Sequence, residues 1–285
     1  MKKGINYWAF PPGEVSGLPG LLHTLTYAGH LGYDTFEPTV DGPGAPLSVT
    51  SSQNEVEQIR RHAESVSLEI PTVASGLAWG VSPTHPDSAV RAQAVENARS
   101  VLQIAAWIGA DTILYLPGMV SAVFVPDFEP QQYDHVQTWA RESLMRVLET
   151  AEKLGITVAV ENVWNRFLLS PVEMAEFIDA TGSSYVGCYF DTGNAMLYGH
   201  PEHWIHVLGA RIAAVHVKDF RVNVGNLDGF VDVLAGDVNF AAVFAALESV
   251  GYNRQFTIEY VPPTLGAAEK GIAALRILEQ QYKRG

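Results

Sequence analysis

Four residues that can bind a metal ion each lie at or near the end of a short apolar run. Glu161 ends "VAVE", Asp191 ends "CYFD", His216 lies in "AAVHV" and Glu259 ends "FTIE". A lone acidic residue at such a position is usually solvated, and a lone His is usually a hydrogen-bonded core residue. Four on consecutive runs favour a shared site, because three neighbouring carboxylates repel one another unless a cation offsets their charge. Three oxygens and one imidazole suit Mn, Mg, Co or Zn, so we predict one divalent ion.

A metal ion beside carboxylates can support proton transfer next to a carbonyl group. Chelation by the carbonyl oxygen and a neighbouring hydroxyl would stabilise an enediolate, and a nearby carboxylate would take the proton. Two carboxylates on opposite faces of the substrate would invert the carbon. One base serving two adjacent carbons would instead interconvert an aldose and a ketose. Both outcomes stay open at this point.

The four runs belong to a regular alternation of apolar and amphipathic segments. The predicted strands are Lys3–Tyr7, Thr35–Pro38, Glu69–Ala74, Thr112–Leu116, Ile156–Glu161, Val186–Asp191, Ile212–Val217 and Phe256–Tyr260. The predicted helices include Asn54–Val66, Ser88–Ile108, His135–Leu154, Pro171–Ala180, Pro201–Leu208, Phe240–Val250 and Ala267–Tyr282. Eight strands alternating with helices predict α/β architecture and a single (β/α)8 TIM barrel over residues 1–285. In that fold the carboxyl ends of the strands form the active-site face.

The composition bears on partners and location. The chain has 18 Lys and Arg against 31 Asp and Glu, a net charge of −13. Proteins that bind nucleic acid usually carry the opposite balance, because phosphate contacts supply most of their affinity. No stretch approaches the roughly 20 apolar residues of a membrane span, and the N-terminus lacks the apolar run of a signal peptide. We therefore expect no nucleic acid, no membrane partner and a cytoplasmic location.

Several motifs together resemble a known family. "VAVEN", "FDTGN", "VHVKD" and "LAGDVNF" occur in the order and rough spacing of the sugar phosphate isomerase/epimerase superfamily, which has a xylose-isomerase-like TIM barrel. The "HVKD…GDVNF" pair is most similar to the L-xylulose-5-phosphate 3-epimerase and hexulose-phosphate isomerase branch. The resemblance implies that Glu161, Asp191, His216 and Glu259 bind one metal ion, and that Glu161 and Glu259 transfer protons on opposite faces of a carbohydrate substrate.

Further residues are predicted to contact that substrate: Asn194, Lys218, Asp219, Arg221, Trp79 and Trp8. Free-ketose 3-epimerases often have a His where this chain has Asn194, and an Arg six residues after the metal-binding His. Here Arg221 lies five residues after His216. Phosphate binding is thus implied by resemblance only, because the chain has no phosphate-binding glycine motif. Residues 222–240 are predicted to form a long loop, a length typical of functional lids.

The function predicted is metal-dependent sugar or sugar-phosphate isomerase/epimerase activity, with 3-epimerisation favoured and manganese among the candidate ions. The alternatives are an aldose–ketose or hydroxypyruvate isomerase, and a lyase similar to inosose dehydratase. Apurinic-site endonucleases share the barrel but use more His ligands than this chain places at strand ends. A non-catalytic metal-binding protein is also conceivable, although it would not need two opposed bases. Apolar loops such as "VSAVFVPDF" could form the interface of a homodimer or, equally, the rim of the substrate pocket.

Overall fold

The computed structural model describes residues 2–11, 16–125 and 127–282. Its strands are β1 Lys2–Asn6, β2 Thr35–Glu37, β3 Thr72–Val73, β4 Thr112–Tyr115, β5 Thr157–Glu161, β6 Val186–Asp191, β7 Ile212–Val217, β8 Asp219–Phe220, β9 Phe230–Val231 and β10 Gln255–Ile258. Pro126, within the predicted "VSAVFVPDF" loop, lies outside the described residues.

Eight of the strands form one parallel sheet that curves into a barrel. The order is β2-β1-β10-β7-β6-β5-β4-β3. Between the end strands β2 and β3, the Phe36 amide donates to the Glu69 carbonyl at 2.9 Å and the Val40 amide to the Ala74 carbonyl at 2.8 Å. These bonds complete the ring, which confirms the predicted TIM barrel. Because all eight strands are parallel, their carboxyl ends meet on one face.

Helices cover the outside of the ring, except for α6 (Thr192–Ala195), a single turn that directly continues β6 at the carboxyl end of the barrel. Their bounds are α1 Gly17–Leu31, α2 Gln53–Ser65, α3 Ser88–Ile108, α4 Tyr133–Leu154, α5 Pro171–Asp179, α6 Thr192–Ala195, α7 Pro201–Leu208, α8 Phe240–Ser249 and α9 Ala267–Tyr282. Local signals fix several ends: Ser52 and Glu55 form a reciprocal capping box on α2, and Ser170 caps α5, which has Pro171 at its first position. In the part of the chain that the structure describes, no helix is long and apolar enough to cross a membrane.

The core has two layers because the barrel strands are buried on both faces. In β5, Val158 and Val160 belong to the large cluster that includes the helices, whereas Ala159 belongs to a small inner cluster. That inner cluster contains Ala74, Leu114, Leu116, Ala159, Tyr189 and Ala214. Alternation therefore directs every second side chain into the barrel. Glu161, two residues after Ala159, follows the same inward direction.

Three features differ from the predicted element pattern. Helix α1 was not predicted, and the predicted strand Glu69–Ala74 is regular only over Thr72–Val73. The segment predicted as one long loop over 222–240 instead contains β9, which pairs antiparallel with β8. That hairpin folds back onto the barrel face. The Asp219 side chain holds the hairpin in this position through the hydrogen bonds described below.

Candidate metal centre and active site

The four predicted ligands meet at the carboxyl end of the barrel. Glu161, Asp191 and His216 come from β5, β6 and β7, and Glu259 follows β10 directly. These are four successive neighbours in the sheet, and Asp191 lies opposite His216 in the strand register. One ligand atom from each residue lies within 4.8 Å of all the others, and all four side chains are buried. The sheet order alone thus brings residues almost 100 positions apart into one cluster.

The cluster has the chemistry of a cation site. Three of its atoms, Asp191 Oδ2, His216 Nδ1 and Glu259 Oε2, are buried and make no hydrogen bond, although the Lys218 ammonium group forms ion pairs with the two oxygens. Burying polar atoms without hydrogen bonds costs free energy, so three in one place favour a common partner. Oxygen and imidazole donors facing one another at these distances fit a divalent metal ion. The residues present therefore fit the group that the sequence implied.

Lys218 is the nearest cation to the cluster. Its ammonium nitrogen lies 3.2 Å from Asp191 Oδ2 and also pairs with Glu259 Oε2. Burial alone would favour the neutral amine, but attraction by the carboxylates raises the pKa of Lys218 above its ordinary value. Lys218 therefore stays charged and balances part of the negative charge. This lysine was predicted to contact substrate, and it lies beside the cluster.

The two carboxylates proposed as bases differ in their protonation. Burial raises the pKa of Glu161 to about 7, an effect that the neighbouring His216 and Lys218 only partly oppose. Burial also acts on Glu259, but attraction by Lys218 and His216 outweighs it and lowers the pKa of Glu259 below its ordinary value. Near neutral pH one carboxyl group can thus hold a proton while the other is ionised. Such a difference is characteristic of acid–base pairs in active sites.

A fourth carboxylate, Glu37, completes the polar core of the site and was not singled out from the sequence. It ends β2, is only 1% exposed, and lies 2.7 Å from His216 Nε2. Its other partners are the Asn6 amide at 2.5 Å and the Tyr189 hydroxyl. The signal was available, since "TFE" is a short apolar run ended by a carboxylate, just as "VAVE" is.

Two further residues that the sequence did not reveal hold the strand ends in place. Asn162 donates to the Asp191 carbonyl at 2.9 Å and accepts from the Asp191 amide at 2.7 Å. Thr192 makes the same double contact with the backbone of Lys218, at 2.7 and 3.0 Å. These contacts tie β5 to β6 and β6 to the end of β7. They fix the backbone of two residues whose side chains form the site.

The remaining predicted contacts fall into two groups. Asn194 is buried beside the site, where its side-chain amide lies 3.4 Å from Glu161 Oε1. Trp8 and Trp79 pack against the inner cluster of the barrel, and Trp79 meets Phe124 edge to face with ring centroids 4.6 Å apart. These three residues lie where a substrate could reach them.

The other group, Asp219 and Arg221, holds the hairpin. The Asp219 carboxylate accepts four backbone N–H groups, from Phe220, Leu234, Gly236 and Val238, at 2.8–3.1 Å. Because a carboxylate has about four acceptor positions, these contacts favour a structural role over the predicted substrate contact. Arg221 is exposed, and its Nε donates to the Ala235 carbonyl at 3.1 Å.

Aromatic side chains form one wall above the cluster. The Trp164 indole N–H donates to the Asn194 carbonyl at 3.0 Å. Its ring contacts Phe220 and Phe230, with centroids 5.2 and 4.9 Å apart. The Lys218 ammonium lies 5.6 Å from the centre of the Phe230 ring. The hairpin of β8 and β9 therefore supplies the apolar side of the site.

Comparisons with known proteins agree with this geometry. The family model described as "Xylose isomerase-like TIM barrel" matches residues 25–278. An uncharacterized protein of Methanocaldococcus jannaschii is 26% identical over 197 residues, which is 67% of this chain and 64% of that protein. The L-ribulose-5-phosphate 3-epimerase UlaE of Salmonella paratyphi C is 26% identical over 261 residues, 90% of this chain and 86% of the relative.

Solved structures share the same fold. A structure titled D-tagatose 3-epimerase-like protein aligns with a TM-score of 0.81 at 20% identity, covering 100% of this chain and 99% of the other. A structure of L-ribulose 3-epimerase aligns with a TM-score of 0.78 at 20% identity, covering 100% and 96%. At this identity the likeness concerns the fold.

Proposed function

We propose that this chain, which belongs to the xylose isomerase-like TIM-barrel family and is an enzyme of its isomerase and epimerase class, is a divalent-metal-dependent 3-epimerase of a ketose or ketose phosphate. One observation carries the proposal: two buried carboxylates, Glu161 and Glu259, lie in one cluster with opposite pKa shifts. They come from strand ends separated by β6 and β7, and so approach a central substrate from different sides. Inversion of a carbon requires such a pair.

Glu161, Asp191, His216 and Glu259 would hold the metal ion, with manganese the first candidate to test. When bound, the ion supplies Lewis-acid polarisation of the substrate carbonyl. In one direction, ionised Glu259 accepts the proton from the carbon next to that carbonyl. Glu161, which takes up a proton from solvent before this step, donates it to the opposite face of the same carbon, and Glu259 later releases its proton to solvent. In the reverse direction Glu161 accepts the proton and Glu259 donates one, because the forward and reverse reactions follow the same path.

The neighbours of the two bases assist this cycle. Lys218, charged and paired with Glu259, favours the ionised form of that base before the reaction starts. Asn194 lies within reach of Glu161 and is positioned to orient its carboxyl group. Trp164, Phe220 and Phe230 form an apolar wall on one side of the site. Trp8 and Trp79 offer apolar surface to the other end of a sugar chain.

Solvent deuterium exchange tests this function. Ketoses and ketose phosphates are incubated in D2O with the manganese-loaded enzyme, with EDTA-treated enzyme, and with a Glu259→Gln variant. Deuterium at C3 together with the C3 epimer, lost with EDTA and in the variant, is the expected result. Glu248→Gln, an exposed change of the same type on α8, is the matched control and should retain turnover.

Other outcomes would contradict the proposal. Deuterium at C1 with aldose formation would make the chain an aldose–ketose isomerase. Loss of one water from the product would make it a lyase. Full activity of Glu259→Gln would refute the two-base mechanism. The ratio of rates on a ketose and its phosphate ester decides whether exposed Arg221 contributes to binding.

A further inference from the structure

The carboxylate of Glu37 has an unusual place for a residue outside the predicted ligand set. It is buried at the end of β2, while its principal partner, His216, comes from β7. In the sheet, β2 and β7 are separated by β1 and β10, so the contact reaches across the inside of the barrel. Burying a charged group is costly unless it is paired and hydrogen-bonded, and Glu37 has three such partners.

The hydrogen bonds around Glu37 determine where the proton of His216 lies. Asn6 Oδ1 accepts the Trp8 backbone N–H at 2.7 Å, which fixes the orientation of the Asn6 amide. The Asn6 NH2 group must therefore be the donor to Glu37 Oε1. Because Oε1 accepts from Asn6 and Oε2 accepts from the Tyr189 hydroxyl, the surroundings suit an ionised carboxylate, and we assign His216 Nε2 as the donor in the contact at 2.7 Å.

The other nitrogen of the ring then faces the metal cluster. His216 Nδ1 lies 3.2 Å from Glu259 Oε2 and 3.8 Å from Glu161 Oε1, and it has no hydrogen-bond partner. The Tyr189 ring packs on the imidazole with centroids 4.3 Å apart, and the Tyr189 hydroxyl donates to Glu37. The contacts thus fix both the orientation of the imidazole ring and the nitrogen that carries the hydrogen.

We propose that Glu37 is a positioning residue that fixes His216 with hydrogen on Nε2, so that the Nδ1 lone pair faces the ion. A carboxylate in this place also makes the imidazole a stronger metal ligand, because the negative charge of the carboxylate increases the basicity of the ring. The inference rests on the proposed metal-dependent function. It adds that β1 and β2, which supply none of the four predicted ligands, determine the geometry of one of them through Asn6 and Glu37.

Metal binding, measured without any substrate, tests the role of Glu37. Glu37→Gln keeps the shape and one acceptor oxygen but removes the charge. Isothermal titration with Mn²⁺ should show an affinity about 10- to 100-fold weaker than that of the wild type, the usual range for loss of such a partner. The visible spectrum of the Co²⁺-loaded variant should shift, because the imidazole donor is altered. Glu248→Gln should leave both unchanged.

A second measurement needs no variant. In the Zn²⁺-loaded wild type labelled with ¹⁵N, the His216 imidazole should carry its hydrogen on Nε2, protected from exchange, while Nδ1 shows the shift of a metal-bound nitrogen. Hydrogen on Nδ1 would overturn the inference. So would a folded Glu37→Gln variant with the affinity and spectrum of Glu248→Gln. A wild type that binds no metal would refute the proposed function itself, and the inference with it.

Discussion

The raised pKa of Glu161 makes a quantitative prediction about the metal-free protein. The ordinary pKa of the group is 4.5, and burial raises it to about 7 in the folded chain. Below pH 4.5 both the folded and unfolded states hold the proton, so Glu161 imposes no pH-dependent cost. As the pH rises from there towards 7, the unfolded chain releases its proton while the folded chain keeps it. Stability must therefore fall with rising pH across this window.

The size of the effect follows from the difference between the two pKa values. A shift of one unit corresponds to about 1.4 kcal/mol, and the full shift to roughly 3 kcal/mol. The unfolded group is already largely ionised at about pH 5, so about 2.5 kcal/mol of the loss falls between about pH 5 and pH 8. Glu161→Gln mimics the protonated form and cannot titrate. The variant should therefore gain this amount relative to the wild type over the same interval.

Urea denaturation in EDTA, at about pH 5 and about pH 8, measures the unfolding free energies of the wild type and of Glu161→Gln. His216, whose raised pKa also costs stability as the pH rises past its ordinary value of 6.5, is present in both proteins and lies 3.8 Å from Glu161, so the comparison measures Glu161 together with its effect on His216. Parallel pH profiles for wild type and variant would show that burial does not hold a proton on Glu161. Adding Mn²⁺ should reverse the trend for the wild type, because metal binding requires ionised carboxylates.

Four shorter predictions concern the neighbours of the cluster. Lys218→Met leaves two buried carboxylates without their cation, so metal-free protein should lose about 3–5 kcal/mol of stability, and Mn²⁺ should raise its melting temperature more than that of the wild type. Asn162→Ala removes both contacts to the Asp191 backbone and should lower the unfolding free energy by about 2 kcal/mol in urea denaturation. The same variant should bind Mn²⁺ more weakly in titration calorimetry. Gly193→Ala would place a Cβ 2.7 Å from the Lys218 Cβ, and the displaced backbone should cost about 1–3 kcal/mol by the same assay. EDTA should lower the melting temperature of the wild type, and an unchanged value after verified metal removal would contradict a bound ion.

Much of the site could be predicted because its parts are local signals placed by a regular fold. Strands β6 and β7 have the predicted bounds, Val186–Asp191 and Ile212–Val217. Strands buried on both faces are nearly continuous apolar runs, which makes each carboxylate at their ends conspicuous. A parallel barrel then gathers those ends on one face without further information from the sequence. That is why residues from Glu161 to Glu259 could be assigned to one cluster.

Features that depend on distant partners could not be found in this way. Glu37 carries the same local signal as Glu161, but its meaning depends on His216, 179 positions away. Asp219 follows His216 and the end of β7 so closely that a substrate contact was the natural interpretation. Its four backbone partners lie within the next 20 residues and exist only because the segment turns back as a hairpin. Helix α1 was missed because "GLPGLLHTLTYAGHL" is apolar over most of its surface and contains Gly and Pro, so it lacks a clear amphipathic period.

The charges at the centre of the barrel give the strongest physical reason for a metal ion. Four buried carboxylates, Glu37, Glu161, Asp191 and Glu259, face one lysine and one histidine. His216 and Lys218 supply at most two positive charges, which leaves an excess of negative charge on the four carboxylates. Without metal, burial raises the pKa of Glu161 and of Asp191, which reduces this excess. One divalent cation would offset this excess, and it would bind where the three atoms without hydrogen bonds meet.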